Sequence, residues 1–142
     1  MKITVVFNIV ATLLYLIIAV ICLVMAYKSF SARKYLPFHE QAAGQPWDRV
    51  DNDLQQVILT LLRQSGLGFL VIGLLIALFP ALSFLRPDPV TKYLIPAIAF
   101  VYCVGLLVFN YKLYKNTKAN TPWKGAVAAL IVIALAIIFS SI

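Results

Sequence analysis

The chain predicts an all-α fold: a polytopic membrane protein with four transmembrane helices in a bundle, plus an interfacial amphipathic helix between spans one and two. Two observations carry this. Hydrophobic residues make up 63% of the 142 positions and charged residues only 12%, against about a quarter charged in a typical soluble domain. The apolar residues also fall in long blocks, and the length admits roughly four spans of about 20 residues joined by short loops. A single integral membrane domain therefore accounts for residues 1–142, with no room for a soluble one beside it.

The first span is expected at residues 3–27, ITVVFNIVATLLYLIIAVICLVMAY. Lys2 precedes it, but the apolar stretch exceeds the roughly 7–15 residues of a signal-peptide core and no small-residue cleavage site follows Met25, so it reads as a retained span. The second is expected at 67–85, LGFLVIGLLIALFPALSFL, with Pro80 kinking or ending it. Its apolar pattern begins at Leu54, yet a helix from there to Leu85 is about 50 Å long at 1.5 Å per residue, against a hydrocarbon core of about 30 Å. The first dozen residues must therefore lie in the interface or project past it. Leu54, Val57, Ile58, Leu61 and Leu62 share one helical face, and Gln55, Gln56, Arg63 and Gln64 fall largely elsewhere. Asn52 followed by Gln55 approximates a capping box, Asp51 and Asp53 suit the positive helix start, and Ser65, Gly66 and Gly68 offer a bend. The loop and amphipathic helix together span about 28–64.

The third span is expected at 90–111, after a tight RPDP connector at 86–89 whose prolines cannot continue a helix. Pro96 should bend it mildly. The fourth is expected at 122–142, with Thr121 as N-cap, Pro122 in the first helical position and Trp123 at interface depth.

Topology follows from the basic residues. Lys28, Arg33, Lys34, Arg49 and Arg63 lie between spans one and two, and Lys112, Lys115, Lys118 and Lys124 around the last loop; the other side carries only Lys2, Arg86 and Lys92. Nine against three places those two loops in the cytoplasm, with both termini outside. The same distribution explains the net charge of +7 through anionic lipid rather than nucleic acid. The expected partners are the lipid bilayer and a second copy of the chain or a larger membrane complex.

No Asp, Glu, Lys, Arg or His falls in the core of any span, and proton-coupled pumps generally need one there. A single histidine excludes bis-histidine haem, and no Walker loop, HExxH or GxSxG occurs. Cys22 and Cys103 form no CxxC pair and read as packing residues. Asn8, Thr12, Tyr15, Tyr102 and Asn110 add modest polarity, expected to bond between helices. No catalytic, cofactor-binding or metal-binding residue is assigned, and no cofactor is expected.

One stretch stands out. Residues 35–53, YLPFHEQAAGQPWDRVDND, hold the only histidine and four of the five acids. His39 and Glu40 could act as an acid–base pair, and His39 with Asp48 could bind a metal, although such sites need three or four ligands. The simpler expectation is an interfacial connector. Pro37 starts a short helix that Gly44 ends, and Phe38 and Trp47 dip into the headgroups. His39, Glu40, Trp47 and Arg63 are the residues placed for contact with a partner or lipid headgroup.

The pattern FHEQAAGQPWDRVDNDLQQVILTLLRQSGLGFL followed by NTKANTPW resembles a family of small uncharacterised four-span bacterial membrane proteins. The resemblance implies the four-span architecture and a bacterial inner membrane, and carries no catalytic residues. Three functions are admitted: a non-enzymatic structural or accessory component, a small-solute transporter or channel, and a membrane-face enzyme or lipid-binding protein using the His39, Glu40 and Trp47 loop.

Overall fold

The computed structural model describes residues 2–85 and 89–141. Among them are five α-helices: α1 (Lys2–Ser31), α2 (Pro37–Ala43), α3 (Asn52–Leu85), α4 (Pro89–Thr117) and α5 (Trp123–Ser141), with a single 3-10 turn at Trp47–Arg49. α1, α3, α4 and α5 are long and apolar enough to cross a membrane. The protein is a multi-pass helical bundle, as its composition requires. Residues 86–88 of the RPDP connector lie outside the described residues.

α1 packs against α3 and α5, and α4 against α5 and α3, so the four spans form a ring in which sequence neighbours are antiparallel. The α1–α3 seam is the closest. A Cβ built on Gly66 would stand 2.9 Å from the Ser29 Cβ and 3.4 Å from the Ala26 carbonyl, and one on Gly73 would stand 3.2 Å from the Cys22 Cβ. Small residues at 26, 29, 66 and 73 thus let two backbones approach, which is how helices associate where lipid is as apolar as leucine. Tyr15, Ile18, Ile76 and Ile133 are fully buried in the centre, where Tyr15 meets Phe79 edge-on with ring centroids 4.9 Å apart. Phe7 stacks on Phe139 at 5.7 Å and joins the two ends of the chain.

Several local expectations change. Residues 65–68 do not end the helix: α3 is continuous over 34 residues, about 51 Å along its axis, so residues 52–64 extend the second span instead of forming a separate helix. Of the glycines expected to bend it, Gly66 provides the contact with α1 and Gly68 faces Tyr102 of α4. Leu54, Val57 and Leu61 on the expected buried face are about half exposed, and only Leu62 is buried. The helix between spans one and two is instead α2. α3 also runs through Pro80 to Leu85. α4 extends six residues beyond the expected end at 111, so Lys112 and Lys115 belong to a helix and not to the loop.

The caps differ too. Asp51, not Asn52, caps α3: its Oδ2 accepts the Asp53 N–H at 3.0 Å, and its carbonyl accepts the Gln55 N–H at 2.8 Å. Thr121 does not cap α5 through its side chain; its hydroxyl donates to the Asn110 carbonyl at 2.8 Å and ties α4 to the start of α5.

Candidate functional site

The loop between α1 and α3 is built around its own polar groups. Pro37 fixes the first turn of α2, where the Leu36 carbonyl accepts the His39 N–H at 2.8 Å. Gly44 ends the helix at φ +66°, the left-handed region that glycine enters without a Cβ clash. Tyr35 is buried; its hydroxyl donates to the Gln45 carbonyl at 2.8 Å, and its ring takes Trp47 edge-on at 4.7 Å. Gln55 Nε2 donates to the carbonyls of Trp47 and Val50, at 3.1 and 3.0 Å. Trp47 is therefore a strut packed inward against Tyr35, where the sequence suggested a headgroup anchor.

α2 turns one face inward. Phe38, His39, Ala42 and Ala43 line a cavity of about 480 Å³, and i, i+3, i+4 spacing puts these four on one side of a helix. Ile58, Leu62, Ser65 and Phe69 supply a stripe from α3, and Leu106, Asn110 and Leu113 one from α4; Met25 and Ser29 of α1 form the back. Leu61 and Phe109, at the outer edges, are 59% and 74% exposed, so the wedge opens sideways onto the apolar surface of the bundle. Deeper along the same helices, Ile72 and Ile76 of α3 and Ala99 and Cys103 of α4 are buried in the core. Gln41, on the outer side of α2, accepts the Asn120 N–H at 2.9 Å. This bond fastens the first loop to the last and brings both basic loops to one end of the molecule.

The four residues singled out from sequence separate here. His39 lines the cavity, with its ring against Phe38 at 4.0 Å and its Nδ1 buried without a hydrogen-bond partner. Trp47 braces Tyr35 from behind. Glu40 lies in the first turn of α2, half-buried and outside the lining. Arg63 is exposed and also outside it. Asn110, Ser65 and Ser29 complete the polar part of the lining. No local pattern announces their meeting with His39, because they come from three different spans.

Burial holds the His39 imidazole below its usual pKa, because desolvation disfavours the charged ring. The folded state thus binds a proton less readily than the unfolded chain. His39 therefore contributes stability that is fully present above the ordinary value of about 6.5 and is lost as pH falls below it. The wild type is expected to lose melting temperature in detergent between pH 7.5 and pH 5.5, while His39→Asn flattens that slope. Equal slopes would remove His39 as the source.

Trp47→Ala is expected to destabilise by about 1–2 kcal/mol, since it removes a half-buried ring and its edge-on partner contact. His39→Ala should cost less than about 1 kcal/mol, because it deletes a ring whose buried nitrogen lacks a partner. Thermal melts of the two variants in one detergent check the order.

Among the described residues no group of three or more His, Cys, Asp or Glu side chains is arranged to hold a metal ion. No family model, curated protein or solved structure matches the chain, and the likeness to small bacterial four-span proteins gains no support from these comparisons.

Proposed function

We propose that this is a non-enzymatic protein of the bacterial inner membrane that holds a lipid-like amphiphile in the wedge beneath α2. The cavity is the observation that carries this. Its volume of about 480 Å³ falls within the roughly 300–1,000 Å³ of small-molecule sites, which are mostly apolar with a few placed polar groups. Its walls are apolar stripes, its polar groups gather toward the loop, and its side opens where an acyl chain would arrive from the bilayer. The lining holds one histidine and no carboxylate, thiol or amine, so an acid–base pair has no second member there. Packed core beyond Phe69 and Leu106 favours a binding site over a conduit. An accessory role in a homo-oligomer or larger complex would use the exposed apolar flanks, but those flanks suit lipid equally well.

Native mass spectrometry after extraction in a mild detergent tests the proposal. The wild type should retain an amphiphile adduct, and Leu106→Trp, which fills the wedge, should release it while keeping the wild-type melting profile. Identical adducts on both proteins would sink the reading.

The placement of both basic loops at one end supports a topology with both termini outside. A C-terminal alkaline phosphatase fusion should then be active and a C-terminal green fluorescent protein fusion dark; the reverse result would invert the orientation.

A further inference from the structure

We infer that the wedge selects an uncharged amphiphile with a hydroxyl head, of the chemical class of a long-chain alcohol or monoacylglycerol, over the corresponding anion. This rests on the binding role proposed above and names what the site takes. The end of the molecule that carries the cavity holds nine of the twelve basic residues and four of the five acids. None of them lines the cavity. A site built for a carboxylate or phosphate would turn at least one of those cations inward, because an ion moved into apolar surroundings is retained only when it is paired and hydrogen-bonded. Instead the charges stay outside, and the polar lining consists of hydroxyl, amide and imidazole groups.

Two of those polar groups are already engaged. The Tyr35 hydroxyl donates to the Gln45 carbonyl, and Asn110 Nδ2 donates to the Leu106 carbonyl at 2.8 Å. His39 differs: its Nδ1 is buried and has no partner. A neutral imidazole carries one acceptor nitrogen and one donor nitrogen. Nδ1 is closed to solvent in this rotamer, so a hydroxyl head reaches it when the ring turns about its Cβ–Cγ bond toward the cavity; with the proton on Nε2, it then accepts that hydrogen bond and loses its desolvation penalty. Burial favours the neutral ring independently. The chain of such a ligand lies along the Leu62–Phe69 and Leu106–Leu113 stripes, and its head reaches the imidazole beside Phe38. A permanently charged head of the same chain length would meet no cation in the lining.

The test uses the full-length protein in phosphatidylcholine nanodiscs at pH 7.5, with chain-brominated oleyl alcohol and chain-brominated oleyl sulfate as probes. The readout is quenching of intrinsic tryptophan fluorescence. Trp47 packs on Tyr35, and Trp123 follows Pro122; both Tyr35 and Pro122 belong to the lining. The alcohol should quench saturably and at least about tenfold more tightly than the sulfate, the size of one charge left unpaired. His39→Leu should weaken the alcohol about tenfold, and His39→Asn, which restores an acceptor, should recover much of that loss. Equal or tighter binding of the sulfate overturns the selectivity while leaving the binding role intact. Saturable quenching by neither probe, or quenching that Ala42→Phe, which fills the wedge without adding a tryptophan, does not reduce, removes the binding role and this inference with it. If His39→Leu fails to fold, the wild-type comparison of the two probes decides the matter alone.

Discussion

Gly66→Val should lower the stability of the bundle by about 3 kcal/mol, at the upper end of what overpacking costs. The position has no slack. Even the first carbon of a side chain would stand 2.9 Å from the Ser29 Cβ, and that atom is fixed to the α1 backbone, not at the end of a flexible chain. Relief requires the two helices to separate, which would also loosen the Gly73 contact with Cys22 and Leu23 about two turns away. Neighbouring glycines calibrate the effect. At Gly68 the obstacle is the Tyr102 hydroxyl, at 2.9 Å, the far end of a side chain that can swing, so Gly68→Ala should cost under about 1 kcal/mol. Gly105 has nothing within 4 Å, and Gly105→Ala should stabilise α4 by about 0.5–1 kcal/mol through helix propensity. Combining Gly66→Ala with Ser29→Gly should recover most of the loss from Gly66→Ala alone, since the contact is pairwise. Denaturant titration in mixed micelles measures all of these. A Gly66→Val protein as stable as Gly105→Ala would show that the seam does not depend on close approach.

Tyr15→Ala should cost about 3–5 kcal/mol, the range for truncating a buried aromatic ring. Tyr15 is 1% exposed and meets Phe79 edge-on, so its loss opens a cavity between α1 and α3 in the middle of the core. Tyr15→Phe should behave in the opposite way. The Tyr15 hydroxyl is buried without a partner in hydrogen-bond geometry; Ser140 of α5, the polar side chain beside it, donates to the Ile137 carbonyl at 2.9 Å. Removing an unpaired buried hydroxyl while keeping the ring should leave stability unchanged or raise it slightly. A Tyr15→Phe variant that loses more than about 1 kcal/mol would mean that the hydroxyl does find a partner in the membrane.

The four spans and the gathering of the basic loops at one end were legible in the sequence because both depend on composition over long windows. Apolar blocks mark helices that must satisfy their own backbone in lipid, and cations mark their ends. What escaped were features set by pairing. Gly66 and Gly68 looked only like a bend because small residues serve both as hinges and as contact points, and only the partner helices, α1 at Gly66 and α4 at Gly68, reveal the second role. Gln55 looked like half of a capping box, yet its amide reaches back to Trp47 and Val50. His39 looked like a connector residue because its cavity is completed by Asn110, which is 71 positions away and reaches it through the packing of α4. Glu40 and Arg63, grouped with His39 by polarity, fall outside the lining because α2 and α3 turn them away from it.

The ring arrangement also fixes an order of events. α1 and α3 are adjacent spans, as are α4 and α5, so each pair closes over a short stretch of chain and can form as a hairpin soon after synthesis. The α1–α5 seam cannot. Its Phe7–Phe139 stack joins positions 132 residues apart, and contacts of such separation carry the largest loop-closure cost. They become affordable once the two hairpins stand side by side. The apolar wedge beneath α2 takes its stripes from α3 and α4 and its back from α1, so it exists only after α4 has packed against the first hairpin, and until then its stripes face lipid as ordinary helix surface.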